Sequence, residues 1–263
     1  MKISAKLPQR KFPGARLIVP ALCVLIAAAG AFVIYGQVSP VFSEVQSRKL
    51  PIYCVSTEKA QVALSFDAAW GNEDTSTLLS ILDEYDVKAT FFMTGGWVES
   101  YPDDVKAIAA AGHDLGNHSE NHKQMSTLSV SECKEEIQSV HDKVKELTGI
   151  DMTLFRPPYG DYNDTLIEAA NGLGYHAIQW DIDSLDWKDY GADAIVSRVL
   201  DNEHLGNGSI VLMHNGATYM KDALPRVIEG LREKGYELVL ISELIYTEDY
   251  EMDHEGRQYV TGS

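Results

Sequence analysis

The chain has few cysteines and few basic residues for its length. Its 263 residues include three cysteines, and 22 lysines and arginines stand against 39 aspartates and glutamates, for a net charge of −17. Three cysteines cannot form a disulfide framework. Because Cys23 lies in an apolar run, only Cys54 and Cys133 could pair, and we expect both to be free thiols. So acidic a chain lacks the basic face that nucleic-acid phosphates require, so we predict no nucleic-acid partner. With 45% hydrophobic residues it is also too apolar to be mainly disordered.

Positive charge is concentrated at the N-terminus, and an apolar segment follows it. The first sixteen residues contain five lysines or arginines, and no acidic residue occurs before Glu44. Residues 17–35 then carry no charged side chain, and as a helix they would reach about 28 Å, close to the ~30 Å hydrocarbon core of a membrane. Because basic flanks stay in the cytoplasm, we predict a single-pass protein of the cell membrane with a cytoplasmic N-terminus and an extracytoplasmic domain. A cleaved signal peptide, which would give a secreted protein, is the alternative.

From about residue 59, short β-rich runs alternate with helical patterns. The predicted strands are 62–66, 90–94, 113–116, 153–156, 176–180, 209–214 and 237–241. The predicted helices are 75–85, 103–111, 130–147, 164–173, 192–202 and 224–234. This alternation predicts an α/β fold of parallel strands with crossover helices, and about seven strands favour a deformed (β/α) barrel over a doubly wound open sheet.

The charge, hydropathy and periodicity together predict five segments along the chain. They are a basic cytoplasmic tail (1–16), a transmembrane anchor (17–36), a linker (37–58), a folded domain (59–247) and a polar C-terminal tail (248–263).

Polar residues able to do chemistry follow five of the seven predicted strands. They are Asp67, His118 with His122, Arg156, Asp183 with Asp186, and His214. Loops at the C-terminal ends of parallel strands converge, and the active sites of parallel β/α folds lie there. We therefore predict that these side chains meet in one site.

Several of these residues also have a purely structural interpretation. His118 and His122 are four residues apart, which is one helical turn, so both imidazoles can face one metal ion, although such pairs also occur by chance. Arg156, just before Pro157, can either fix a carboxylate bidentately or form a surface ion pair. His214, at the end of an apolar strand, can instead be a core histidine.

Five segments, taken in order, resemble the motifs of polysaccharide deacetylases, which are carbohydrate esterase family four with a NodB-type homology domain. The segments are Ser65-Phe66-Asp67-Ala68 for T-F-D-D, His118-Ser119-Glu120-Asn121-His122 for H-[ST]-x-x-H, Arg156-Pro157-Pro158-Tyr159 for R-x-P-[YF], Asp183-Ser184-Leu185-Asp186-Trp187 for D-x-x-D-W, and Leu212-Met213-His214 for L-x-H. The resemblance covers residues 59–247, which it identifies as the catalytic domain. It implies a deformed (β/α) barrel that removes N-acetyl groups, and sometimes O-acetyl groups, from glycans.

The resemblance also implies a role for each catalytic side chain. Asp67 would be the general base, oriented by Arg156, and the backbone N–H of Tyr159 would stabilise the tetrahedral oxyanion. His214 would protonate the departing amine, with Asp186 holding its imidazole in the cationic form. The residues implied for substrate binding are Trp187, Leu212 and Pro157, and those implied for a divalent metal are His118, His122 and Asp67.

One position departs from the family pattern. The second aspartate of the first motif, a usual metal ligand, is Ala68 in this chain. Because a catalytic zinc normally has three protein ligands, we expect zinc or cobalt to bind weakly here. The missing ligand could be replaced by Asp67, by a carboxylate from Glu73 or Asp74, or by a further water.

These observations lead to one functional expectation and two alternatives. We expect a membrane-anchored, monomeric hydrolase that removes N-acetyl groups from N-acetylglucosamine (GlcNAc) or N-acetylmuramic acid (MurNAc) of peptidoglycan by metal-assisted acid–base attack of water. The first alternative is a degenerate deacetylase that binds or scaffolds cell-wall glycan. The second is an O-acetyl esterase, since an ester leaves more easily than an amide.

Overall fold

The computed structural model describes residues 48–261. The predicted basic tail, transmembrane anchor and most of the predicted linker lie outside these residues. Within the described part of the chain, no helix is long and apolar enough to cross a membrane.

Eleven strands form one sheet in the described residues. They are β1 (Cys54–Val55), β2 (Gln61–Ala68), β3 (Thr90–Met93), β4 (Asp114–Asn117), β5 (Leu154–Phe155), β6 (His176–Ala177), β7 (Ile182–Asp183), β8 (Ser209–His214), β9 (Glu237–Val239), β10 (Tyr250–Met252) and β11 (Arg257–Val260). The helices between them are α1 (Thr75–Glu84), α2 (Gly95–Ser100), α3 (Pro102–Ala110), α4 (Val130–Thr148), α5 (Asp164–Asn171), α6 (Ala192–Leu200), α7 (Met220–Glu233) and α8 (Ile241–Leu244). All seven predicted strands are present, and so are all six predicted helices.

The central strands follow chain order across the sheet. Parallel pairs join β2 to β3, β3 to β4, β4 to β5 and β5 to β6, while β8 lies on the other side of β2 and carries β7 on its far edge. A bridge between Ile52 and Ile178 links the residues before β1 to the residue after β6. An order that runs in one direction without a switch point curls the sheet into a half-barrel, so the doubly wound alternative does not describe this fold.

Strand β2 shows how the alternation of side chains positions the site. Val62, Leu64 and Phe66 pack into the larger core cluster, which also holds the buried side chains of the helices. Ala63 packs into a second, smaller cluster. Because successive side chains point to opposite faces of a strand, Asp67 lies on the same face as Ala63, at the C-terminal end of β2.

Helix α4 has the terminal signals that its sequence predicts. Ser129 and Glu132 form a capping box, in which each side chain satisfies the other's backbone N–H. The helix ends at Gly149, whose φ of 76° is a left-handed conformation that favours glycine.

The structure differs from the expectation at both ends of the described chain. Strand β1 lies within the predicted linker, where it pairs with β8 and β11. Strands β10 and β11 lie within residues 248–263, expected to form a polar tail, and they pair with each other. Strands of two to four residues carry too few side chains to show a period, so backbone pairing rather than hydrophobic pattern defines them.

Two of the three cysteines lie within the described residues. Cys54 and Cys133 are both free and buried, as expected. Cys23 lies outside the described residues.

Candidate active site

The predicted site residues surround one cavity of about 410 Å³. Those that line it are Asp67, His118, His122, Tyr159, Asp183, Trp187, Leu212 and His214. Arg156 and Asp186 are fully buried behind this lining, where they contact Asp67 and His214. Pro157 is not among the lining residues. The strand ends therefore converge as the sequence predicts.

Asp67 is held by a buried arginine. Arg156 Nη1 donates to Asp67 Oδ1 at 2.7 Å, and its Nη2 donates to Ser65 Oγ at 2.9 Å and to the Gln179 carbonyl at 3.2 Å. The guanidinium also lies over the ring of Phe92, 4.1 Å from its centroid. The contact with Asp67 is thus single rather than the bidentate contact expected, because the second nitrogen is committed to other acceptors.

The charges around Asp67 favour its ionised form. Burial by itself raises the pKa of the Asp67 carboxyl, but the charges of Arg156, His118 and His214 and the Arg156 hydrogen bond outweigh burial and lower this pKa. A carboxylate that stays ionised near neutral pH can accept a proton from water, as a general base must.

His118 and His122 face each other from a turn, not from a helix. Ser119 has a φ of 64° and His122 a φ of 51°, so the segment after β4 folds sharply, and the two Nε2 atoms come to 3.2 Å apart. His118 Nδ1 lies 2.8 Å from the carbonyl of Arg156, which can only accept, so His118 donates from Nδ1. Burial is the largest influence on the His118 pKa, which falls to about 4. His118 is therefore neutral near pH 7, with Nε2 free of its proton.

These two histidines suit a metal, but a three-ligand centre does not form. Two nitrogens on one tetrahedral zinc ion would be about 3.3 Å apart, given zinc–nitrogen bonds of about 2.0–2.1 Å. His118 Nε2 is also 3.4 Å from Asp67 Oδ2. Ala68, however, offers a buried methyl group, and no group of three His, Cys, Asp or Glu side chains within residues 48–261 is arranged to hold a metal.

Of the three expected substitute carboxylates, Asp67 lies beside the histidine pair, whereas Glu73 and Asp74 do not reach it. Glu73 and Asp74 line a separate cavity of about 210 Å³ together with Gly216 and Lys221. Asp74 Oδ1 accepts a hydrogen bond from the backbone N–H of Gly216 at 2.8 Å. The described residues therefore do not fit a three-ligand catalytic metal centre.

His214, whose side chain is 12% exposed, forms a second pair with the fully buried Asp186. His214 Nδ1 lies 2.7 Å from Asp186 Oδ1, and the His214 backbone N–H donates to Asp186 Oδ2 at 2.6 Å. Burial by itself lowers the pKa of His214, but the hydrogen bond and charge of Asp186 and the charges of Asp67 and Asp183 outweigh it and raise this pKa. Asp186 thus favours the imidazolium form, which can donate a proton from Nε2.

The outer part of the cavity is aromatic. Tyr159 has a φ of 61°, is 67% exposed, and packs the edge of its ring against His122 with centroids 4.5 Å apart. Trp187 is 51% exposed, whereas Leu212 is buried. Half-exposed rings beside a cavity are suited to packing against the apolar face of a sugar.

Ala69 and two aromatic residues of the cavity are missed by the sequence-based prediction. Trp70 and Trp180 both line the cavity. Trp70 follows Asp67 by three residues, and Trp180 ends a predicted strand; neither position has a spacing signal. Proximity to a strand end is the clue that would have found them.

The fold and this geometry agree with comparisons to known proteins. The family model described as polysaccharide deacetylase matches residues 55–178. A peptidoglycan-N-acetylglucosamine deacetylase of Bacillus cereus is 34% identical over 196 residues, which cover 72% of this chain and 70% of that protein. The chain belongs to the polysaccharide deacetylase family.

One further relative is named without an activity, and one similar solved structure is described as a pseudoenzyme. The uncharacterized protein YlxY of Bacillus subtilis is 33% identical over 212 residues, covering 81% of this chain and 66% of that protein. The crystal structure of wild-type BA3943, described as a CE4 family pseudoenzyme from Bacillus anthracis, has a TM-score of 0.72 at 35% identity. That match covers 75% of this chain and 69% of BA3943.

Proposed function

We propose that this protein is an extracytoplasmic hydrolase that removes N-acetyl groups from GlcNAc or MurNAc residues of peptidoglycan. The observation that carries the proposal is that two pairs, Asp67 with Arg156 and His214 with Asp186, reach one cavity. The first pair favours an ionised base and the second a protonated acid, which is the combination that amide hydrolysis needs. The relative from Bacillus cereus is named for the same substrate class.

In the proposed reaction, Asp67 accepts a proton from water while the water oxygen bonds to the acetyl carbon. The backbone N–H of Tyr159 would stabilise the oxyanion. The C–N bond then breaks, and the leaving nitrogen takes a proton from Nε2 of His214, which becomes neutral. Leu212 and Trp187 would contact the acetyl methyl group and the sugar.

The proposed location rests on the N-terminal sequence. The basic first sixteen residues and the uncharged run 17–35 support a membrane anchor with a cytoplasmic N-terminus. An acetylated cell-wall glycan would then lie on the same side of the membrane as the domain. The proposal is tested by fusing a reporter that is active only outside the cytoplasm to the C-terminus.

A specific observation favours a second candidate, a protein that binds wall glycan without hydrolysing it. Ala68 stands where the family usually has a metal-ligating aspartate, and the structural relative BA3943 is described as a pseudoenzyme. The O-acetyl esterase is a variant of the first proposal, because an ester places a smaller demand on the same acid–base pairs.

The experiment that separates these candidates measures acetate release from N-acetylglucosamine oligomers and from an O-acetylated xylan by the purified full-length protein. Each substrate is tested with added zinc, with cobalt and with chelator, beside the Asp67→Asn variant. Acetate released from the oligomers and abolished in the variant supports the deacetylase. Release from the xylan alone supports the esterase, and glycan binding without release supports the binding protein.

A further inference from the structure

The indole of Trp70 lies almost parallel to the imidazole of His214. The ring centroids are 5.2 Å apart and the two planes differ by 20°. Trp70 lies in the loop after β2, three residues beyond Asp67, and Asp67 is the register partner of His214 between β2 and β8. Pairing of the two strands therefore brings this loop to the His214 ring.

The indole also packs against the backbone of Gly216. A Cβ atom built on Gly216 would lie 2.9 Å from both Cδ1 and Nε1 of Trp70, so the indole fits against a backbone that has no side chain there. The Gly216 N–H is bonded to Asp74, which ties the loop after β8 to the start of α1. Trp70 is 44% exposed and lines the cavity, so it is not a residue of the core.

We propose that Trp70 is a positioning residue for His214, holding the plane of the imidazole so that its Nε2 meets the leaving group. Asp186 holds only Nδ1, and the ring can still tilt about that hydrogen bond. A flat indole against one face of the imidazole opposes this tilt and covers that face from water. The inference rests on the proposed function, in which Nε2 of His214 protonates the leaving nitrogen.

The rates on an amide and on an activated ester distinguish a positioning role of Trp70 from a purely structural role. Breaking the C–N bond of an amide requires the nitrogen to gain the proton of Nε2. Breaking the ester bond of 4-nitrophenyl acetate requires no such proton, because 4-nitrophenolate leaves as an anion. A residue that acts only by positioning the acid therefore affects the amide and spares the activated ester.

The kinetic experiment compares Trp70→Ala, Trp70→Phe and Trp187→Ala in the full-length protein on N-acetylglucosamine oligomers and on 4-nitrophenyl acetate. We expect Trp70→Ala to lower kcat on the oligomers by about tenfold or more, with the ester rate within about twofold of wild type. Trp70→Phe, which keeps a flat ring, restores most of the loss, whereas Trp187→Ala raises KM. Equal losses on both substrates, or no recovery with Phe, would overturn the proposal.

A second measurement does not depend on activity. With histidine labelled at ¹³Cε1 and the signal assigned through His214→Gln, the stacked indole shifts the His214 ring proton upfield. Trp70→Ala removes this shift, while Tyr190→Ala, at an exposed ring outside the cavity, leaves it in place. A His214 signal without the upfield shift would contradict the stacking even if the enzyme is active. If the signal is shifted but the protein releases no acetate, the stacking of Trp70 on His214 is supported and the proposed function is wrong.

Discussion

The cavity has an acid–base side, with Asp67 and His214 and their partners, and a histidine side, with His118 and His122. The acid–base side has all the residues expected of it, whereas the histidine side lacks one metal ligand. On the acid–base side, Asp67 and His214 each have a fully buried partner at 2.7 Å, and each pKa moves in the direction that the proposed role requires. On the histidine side, His118 and His122 have the spacing of two metal ligands, but Ala68 removes the third. The comparison shows that acid–base geometry can be present in full where a metal centre is incomplete.

The largest effect is expected from separating Asp67 from Arg156. Arg156→Met leaves a buried carboxylate without its counter-charge, so the free energy of unfolding should fall by about 3–5 kcal/mol, and activity should fall at least a hundredfold. Urea unfolding measures the first and acetate release the second. The double variant Asp67→Asn with Arg156→Met should recover much of the stability, and additive losses in that cycle would contradict the pairing.

Because of the Asp67–Arg156 pair, we expect the free energy of unfolding to depend on pH in the acid range. Because the folded pKa of Asp67 is below its unfolded value of about 3.9, its stabilising contribution is present above that value. The contribution is lost as the pH falls through the lower, folded pKa. Asp67→Asn should therefore flatten the acid limb of the unfolding free energy, and an unchanged limb would show that Asp67 is not the titrating group.

Removing the acid is expected to have the next largest effect. His214→Ala should lower the rate on N-acetylglucosamine oligomers by about 10²–10⁴-fold. Because Asp186 raises the pKa of His214, Asp186→Asn should move the basic limb of the pH–rate profile to lower pH. A basic limb at the same pH in Asp186→Asn would contradict this role.

His214 also links stability to pH, with the opposite sign to Asp67. Its folded pKa is above the ordinary 6.5, so its contribution is fully present below pH 6.5 and is lost as the pH rises through the folded pKa. Wild type should lose stability in that window relative to His214→Gln. Equal pH dependence of the two proteins would show that the pair with Asp186 does not stabilise the fold.

Completing the histidine side should have a smaller effect on stability but a clear effect on metal binding. Without metal, Ala68→Asp buries a carboxylate and should cost about 1–3 kcal/mol. Zinc should restore that stability, and its affinity by calorimetry should rise at least about tenfold over wild type. Ala68→Asn is the matched control of similar shape, and a zinc response equal to that of the aspartate variant would contradict a ligand role.

The smallest effect on activity is expected at Trp187, in the outer part of the cavity. Trp187 is half-exposed and contributes packing rather than proton transfer, so Trp187→Ala should raise KM about fivefold through the loss of about 1 kcal/mol, with kcat nearly unchanged. A large fall in kcat would place this residue in the chemistry instead.

The sequence predicts those features of the fold and the site that depend on hydrophobic periodicity and on polar residues at strand ends. The alternation of β2 and the polar residues at the strand ends were enough to place Asp67, Arg156 and His214 in one site. The turn at His118–His122 could not be predicted, because the same spacing fits a helix and only the positive φ values of Ser119 and His122 distinguish the two.

The other features that the sequence did not predict depend on contacts between segments distant in the chain. Strands β10 and β11 are too short to carry a period and exist through backbone pairing. The contact of Trp70 with His214 exists because β2 pairs with β8 over a separation of 147 residues between Asp67 and His214, which no local pattern reveals.

The most direct test of the central claim is mass spectrometry of muropeptides after incubation with the full-length protein, with zinc, cobalt or chelator, beside the His214→Ala variant. We expect loss of acetyl mass that requires His214, and the fragment that loses it identifies the sugar as GlcNAc or MurNAc. A folded protein that binds the glycan and removes no acetyl mass under any of these conditions would contradict the claim and identify a glycan-binding member of the family.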